Sequence, residues 1–143
     1  MKKAIRITAL VLVCLSITLV AAGCSVKGNT YVYDSVKVVK KGDMTDQEVK
    51  DFEESLKSDS KNVSFTFEKD GSFKMSGSFF GLSLSGKAGY WKQFGSKLYY
   101  NLTKQDFKED EGVYIGDVKM GKVVKTVEDE DEGVKYEIVF KKN

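Results

Sequence analysis

From Asn62 onward the apolar residues fall at every second position, and the turn between the first two runs favours one register over the other. Val63, Phe65 and Phe67 alternate with polar residues, "EKDGS" intervenes, and Phe73 and Met75 resume the pattern. A period of two sends successive side chains to opposite faces, as in a strand with one buried face. A two-residue Asp70-Gly71 turn would set Phe67 opposite Lys74, an apolar side chain beside a charge. A three-residue Lys69-Asp70-Gly71 loop, with Gly71 in the left-handed position, sets Phe67 opposite Phe73 and Phe65 opposite Met75. The alternation therefore predicts the second hairpin.

Similar runs recur at short spacing along the rest of the chain. "TYVYDSVKVVK" (Thr30 to Lys40) is rich in Val and Tyr and reads as a strand. Its phase shifts between Tyr31/Tyr33 and Val36/Val38, which predicts a bulge near Asp34-Ser35 or exposure of one half. Ala88 to Gln93 and Lys97 to Leu102 flank an "FGS" turn, with Trp91, Leu98, Tyr100 and Leu102 expected inward. Glu111 to Met120 carries Val113, Ile115, Val118 and Met120, with a phase break at Gly116-Asp117. Lys122 to Val127 and Val134 to Lys141 form a last hairpin, its inward row Val134, Tyr136, Ile138 and Phe140. "GSFFGLSLSGKAG" (Gly77 to Gly89) is Gly/Ser-rich yet carries Phe79, Phe80, Leu82 and Leu84, and reads as a bent core strand or as an apolar flap over a cavity mouth.

One helix precedes these strands. Thr45 and Glu48 have capping-box spacing, and Met44 before the cap is placed to pack on Val49. Val49, Phe52 and Leu56 share a face, with Asp46-Lys50 and Glu53-Lys57 as oppositely charged pairs on the other side. About eight close-spaced strands after one early helix make the chain mainly β, a small antiparallel barrel or sandwich with one short helix in its N-terminal half.

The first residues read as an address. Lys2, Lys3 and Arg6 precede an uncharged run from Ile7 to Ala22, and small residues lead into Cys24. These are the basic, apolar and cleavage regions of a secretory signal, residues 1–23. The apolar run falls short of the roughly 20 residues of a spanning helix. Cys14 would leave with the signal, so Cys24 has no partner, and a lone thiol at the start of an exported chain reads as a lipid attachment point. Residues 24–29 form a lipidated tether, of which Ser25 to Asn29 reaches at most ~18 Å, and residues 30–143 a single β-rich domain.

Without residues 1–23 the chain holds 20 lysines against 21 Asp plus Glu. No net basic footprint remains, which argues against nucleic acid as a partner. With no histidine in the chain and no cysteine after Cys24, the commonest general base, thiol nucleophile and zinc ligands are missing. The acids cluster in turns rather than as a spaced pair. The expectation is a non-enzyme without a cofactor.

Ala21-Ala22-Gly23-Cys24 resembles the lipobox of bacterial lipoproteins, which implies a diacylglycerol on Cys24 and an anchor on the extracytoplasmic side of a membrane. "FTFEKDGSFKMSG", "GYWKQFGSKLYY" and "KYEIVFKK" together resemble the small lipocalin-like lipoproteins of bacterial envelopes, over roughly Thr30 to Lys142. The resemblance implies an up-and-down barrel with an inner cavity for apolar ligands. The lipocalin Gly-x-Trp pattern belongs at the first strand, whereas here Gly89-Tyr90-Trp91 lies mid-chain. The alternative architecture is a cystatin-like α+β sheet curved around the helix.

Phe65, Phe67, Met75, Trp91 and Tyr136 are the candidate ligand-binding residues, lining a cavity of a few hundred Å³. The run "EDEDE" (Glu128 to Glu132) and the loop Asp106 to Gly112 read as exposed acidic tips, although oxygen ligands in the first could hold calcium. The expected function is a membrane-anchored lipoprotein with a non-catalytic binding role for a small apolar ligand. The alternative is a packed scaffold that binds an envelope protein, an exposed patch around Phe79 to Leu84 favouring it.

Overall fold

A computed structural model describes residues 25–79 and 82–143, without the side chains of residues 79, 82–85 and 87. The expected signal segment 1–23, Cys24 and Phe80 lie outside the described residues. Eight antiparallel strands close into a barrel in chain order: β1 (Asn29–Lys41), β2 (Ser64–Phe67), β3 (Ser72–Phe79), β4 (Leu82–Phe94), β5 (Lys97–Asn101), β6 (Val113–Lys119), β7 (Lys122–Asp129) and β8 (Val134–Lys142). β8 returns to β1 along a register from Tyr31↔Lys142 to Lys41↔Val134. That closure agrees with a small lipocalin-like barrel and sets aside the open cystatin-like sheet.

The β2–β3 hairpin has the predicted register, Phe67↔Phe73 and Phe65↔Met75. Gly71 has φ 88; its N–H donates to the Glu68 carbonyl at 3.1 Å, and the Glu68 N–H donates to the Ser72 carbonyl at 3.0 Å. The phase shift in β1 is a bulge at Asp34, where the register steps from Tyr33 to Ser35. The extra residue rephases the strand, so Tyr31 faces Phe65 and Val36 faces Ile138 on the same inner surface.

Helix α1 (Asp46–Ser60) starts as predicted: the Thr45 hydroxyl accepts from the Glu48 N–H and the Glu48 carboxylate accepts from the Thr45 N–H. Val49, Phe52 and Leu56 are half-buried, and Phe52 meets Tyr136 edge-on at 5.2 Å. The expected charge pairs are replaced by other contacts. Asp46 takes Lys41 at 3.0 Å, and Glu53 accepts the Val38 N–H at 2.8 Å. The cause is the length of β2, which pairs with β1 only as far as Val32. Beyond that point the β1 edge lacks a strand on that side, α1 lies against β1 and β3, and an acidic side chain supplies the acceptor that a strand would have.

The start of β1, the end of β8 and the β2–β3, β4–β5 and β6–β7 turns share one end of this barrel, hereafter the terminal end; α1 and the β7–β8 turn lie at the other. The terminal end is tied together by Gly28 N–H to the Phe67 carbonyl (2.6 Å), Asn143 N–H to the Thr30 carbonyl (2.9 Å) and Val118 N–H to the Ser96 carbonyl (2.7 Å). Val26, inside the expected tether, is fully buried in the core with Tyr31, Phe67 and Phe73.

Three apolar residues face solvent against their expected or strand-like placement. Leu102, expected inward, is 55% exposed; β5 stops at Asn101, whose carboxamide oxygen accepts from the Thr103 and Lys104 N–H groups and turns the chain away. Of the apolar residues near β6, Ile115 and Val118 are buried, while Val113 is 53% and Met120 100% exposed. Met120 leaves the strand to form the turn with Gly121, at φ 50 and 74. The β5–β6 connection contains a 3₁₀ turn (Glu109–Glu111) and buries Phe107 against Phe94, on the side of β4 opposite to Trp91. Gln105 ties the connection down by donating to the Asp70 carbonyl at 3.0 Å.

Candidate functional site

The five expected ligand residues divide into a packed floor and a looser upper wall. Phe65, Phe67 and Met75 are at most 2% exposed and belong to one core cluster, with Trp91 and Tyr136 packed against it. Rings connect the floor: Phe65–Phe140 at 4.8 Å, Phe67–Trp91 at 5.4 Å and Phe67–Phe73 at 5.6 Å. The Trp91 indole N–H donates to the Glu68 carbonyl at 3.0 Å and closes the terminal end. Tyr136, nearer the helix, is half-buried with Phe52 on its face.

Along β1 the short β2 leaves an opening that none of the five expected residues lines. A groove of about 390 Å³ runs between the β1 segment Tyr33–Val36 and the α1 side chains Lys50, Glu53, Glu54 and Lys57. Tyr33 and Val36 pair with Phe140 and Ile138 in register, so the floor of the groove is the edge of the core itself. Burial raises the Tyr33 phenol above its ordinary value, and the Asp34 and Glu53 charges add to the rise; burial alone raises Tyr136 and Tyr100. These phenols stay neutral at physiological pH and present an apolar ring with one polar tip. Asp34 is engaged by Lys122 and Lys141, and Glu53 by Val38. Lys50, Glu54 and Lys57 make no ion pair among the described residues and form the polar rim.

Alternation alone missed this groove, because Tyr33 and Val36 read as ordinary strand residues. Its sequence signal was the brevity of the β2 run, which left β1 without a full partner. Lys125 was missed as well. It sits opposite Ile138 on the inner face, donates to the Tyr114 carbonyl at 3.1 Å and lies 4.3 Å from that ring's centroid. Burial lowers its pKa against the opposing pull of Asp117.

The acidic turn Glu128–Glu132 is exposed. Asp129 accepts from the Asp131 and Glu132 N–H groups, and Glu128 lies 3.6 Å from both Lys40 and Lys135. Among the described residues no group of three or more acidic, His or Cys side chains is placed to hold a metal ion. No described helix is long and apolar enough to cross a membrane. The expected patch at Phe79 to Leu84 falls on side chains outside the description. Compared with family models, curated proteins and solved structures, the chain matches none.

Proposed function

We propose that this is a membrane-anchored extracytoplasmic lipoprotein with a non-catalytic binding role, its barrel holding a small, mainly apolar molecule at the β1–α1 groove. The contrast between floor and wall carries the ligand assignment. Phe65, Phe67 and Met75 already fill their half of the interior, whereas Tyr33 and Val36 are half-buried and line a groove of about 390 Å³, a size suited to a small ligand. The molecule lies against Tyr33 and Val36, with the packed rings beneath it. The anchor assignment rests on the basic start, the uncharged run Ile7 to Ala22 and the unpaired Cys24.

Native mass spectrometry of the full-length chain, isolated from bacterial membranes in mild detergent, tests the ligand assignment. A stoichiometric adduct, lost on denaturation and absent from the Tyr33→Glu chain, is the expected result. A clean mass after exposure to envelope lipid extract would overturn it and leave the protein-binding scaffold. Labelled fatty acid, incorporated by the native chain and not by Cys24→Ser, tests the anchor.

A further inference from the structure

We infer that the terminal end of the barrel is a membrane-docking face, its exposed lysines set against anionic lipid headgroups and Met120 entering the interface. The inference deepens the lipoprotein assignment and rests on it for the position of the anchor.

Met120 is fully exposed at the tip of the β6–β7 hairpin. It is the only non-glycine with positive φ among the described residues. Turns with two left-handed positions favour Asn, Asp or Gly, whose small or locally hydrogen-bonding side chains relieve the strain. Methionine relieves none of it, and at full exposure it packs on nothing in the folded chain. A strained residue retained without a local contact points outward to something the residue touches.

The chemistry around the tip identifies the occupant. Lys27, Lys69, Lys97, Lys119 and Lys142 are exposed at this end, and none makes an ion pair among the described residues. Lys122, beside the tip, is held by Asp34 at 3.2 Å. Carboxylates also stand at or near this end, each with a partner: Asp117 accepts from the Tyr114 and Ser96 hydroxyls, Asp70 accepts from Ser72, Glu68 pairs with Lys74 at 2.9 Å, and Asp106, in the connection that Gln105 ties to Asp70, pairs with Lys92. The opposite end carries the Glu128–Glu132 turn. The five lysines without an ion pair leave this end with cationic charge to present. Lysines around an exposed apolar side chain fit an anionic bilayer surface, where attraction acts only within a Debye length of about 8–10 Å.

The chain's point of entry supplies that proximity. Val26 is buried in the core and the Gly28 N–H is bonded to Phe67, so Cys24 lies two residues from a fixed point on this same end. One lipid anchor plus a basic patch is the two-signal arrangement that holds a protein on a membrane durably.

Peroxide oxidation of the full-length chain tests the docking without substitution. The chain is reconstituted with vesicles of phosphatidylcholine alone or mixed equally with phosphatidylglycerol. Mass spectrometry then reads sulfoxide at Met120, with Met44 near α1 as the internal reference. Met120 oxidation is expected to slow roughly fivefold on the anionic vesicles relative to the neutral ones, with Met44 unchanged and the difference erased by high salt or by Lys97→Glu with Lys119→Glu. Equal Met120 oxidation on both vesicles overturns the inference. Flotation reports the anchor separately. A chain that floats with neutral vesicles yet shows no anionic protection keeps the anchor and loses the docking face. A chain that floats only with anionic vesicles and shields Met120 keeps the docking face and loses the anchor. Flotation with neither overturns both.

Discussion

The indole N–H of Trp91 donates to the carbonyl oxygen of Glu68 at 3.0 Å while its ring meets Phe67 edge-on at 5.4 Å. The backbone N–H of Trp91 also donates to Gly71 at 2.9 Å, so one residue clamps the β2–β3 loop over the terminal end. Trp91→Phe keeps most of the apolar volume and removes one of the two donors to the Glu68 carbonyl, leaving the Gly71 N–H. It is expected to cost about 1–2 kcal/mol in urea unfolding. An unchanged midpoint would mean that water replaces the indole.

Floor and wall should respond differently to truncation. Phe65 is 2% exposed between Phe73 and Phe140, so Phe65→Ala is expected to lose about 3–5 kcal/mol. Tyr136→Ala, at a half-buried position, should lose about half as much. Equal losses would show that Tyr136 is packed as tightly as the floor.

Gly89 and Gly86 form a matched pair on β4. Gly89 has φ 125, and a Cβ there would run into the Asn101 carbonyl and lie 2.7 Å from the Leu102 Cα. Gly86 has φ 91 with no atom within 4 Å of the same position. Gly86→Ala should cost about 1 kcal/mol from the dihedral alone, and Gly89→Ala about 2–4 kcal/mol once the collision is added. Indistinguishable unfolding midpoints would refute the close β4–β5 approach.

The tyrosines set the alkaline limit of stability. Burial pushes Tyr31, Tyr33, Tyr100, Tyr114 and Tyr136 above the ordinary 10.0, Tyr114 furthest, and the hydrogen bond to Glu109 raises Tyr99. A raised phenol contributes stability fully below the unfolded value. That contribution is lost as pH rises above 10.0 toward the folded value, because the unfolded chain releases its proton first. Unfolding free energy should therefore fall steadily above pH 10, and phenolate absorbance of the native protein should lag behind that of the unfolded chain. Coincident titration curves would reject the burial of these rings.

Met120→Asn separates strain from membrane contact. Asparagine tolerates the left-handed turn better than methionine, so the variant should be more stable in solution by up to about 1 kcal/mol. A loss of stability would mean that Met120 packs on the folded domain.

Local chemistry carried much of this fold. The Thr45/Glu48 cap, the Gly71 loop and the Asp34 bulge were legible because each depends on residues close together in the chain. Their partners are within a turn or directly across a hairpin. Leu102 and Phe107 were misread or missed because their burial depends on where the β5–β6 connection goes after Asn101, which alternation does not encode. The candidate ligand residues were legible only as inward positions. Phe65 and Phe67 proved to be floor because Phe73, Phe140 and Trp91 converge on them from other strands.

The sequence by itself determined a β-rich chain with one capped helix and the pairing of its β2–β3 hairpin, all from period, spacing and turn chemistry. Only the tertiary structure decided that β1 and β8 close the sheet, that short β2 opens a groove at Tyr33 and Val36, and that exposed lysines share one barrel end with Met120. Those properties arise when strands distant in sequence meet at fixed register, and a pattern of period two is the same whichever partner a strand finds.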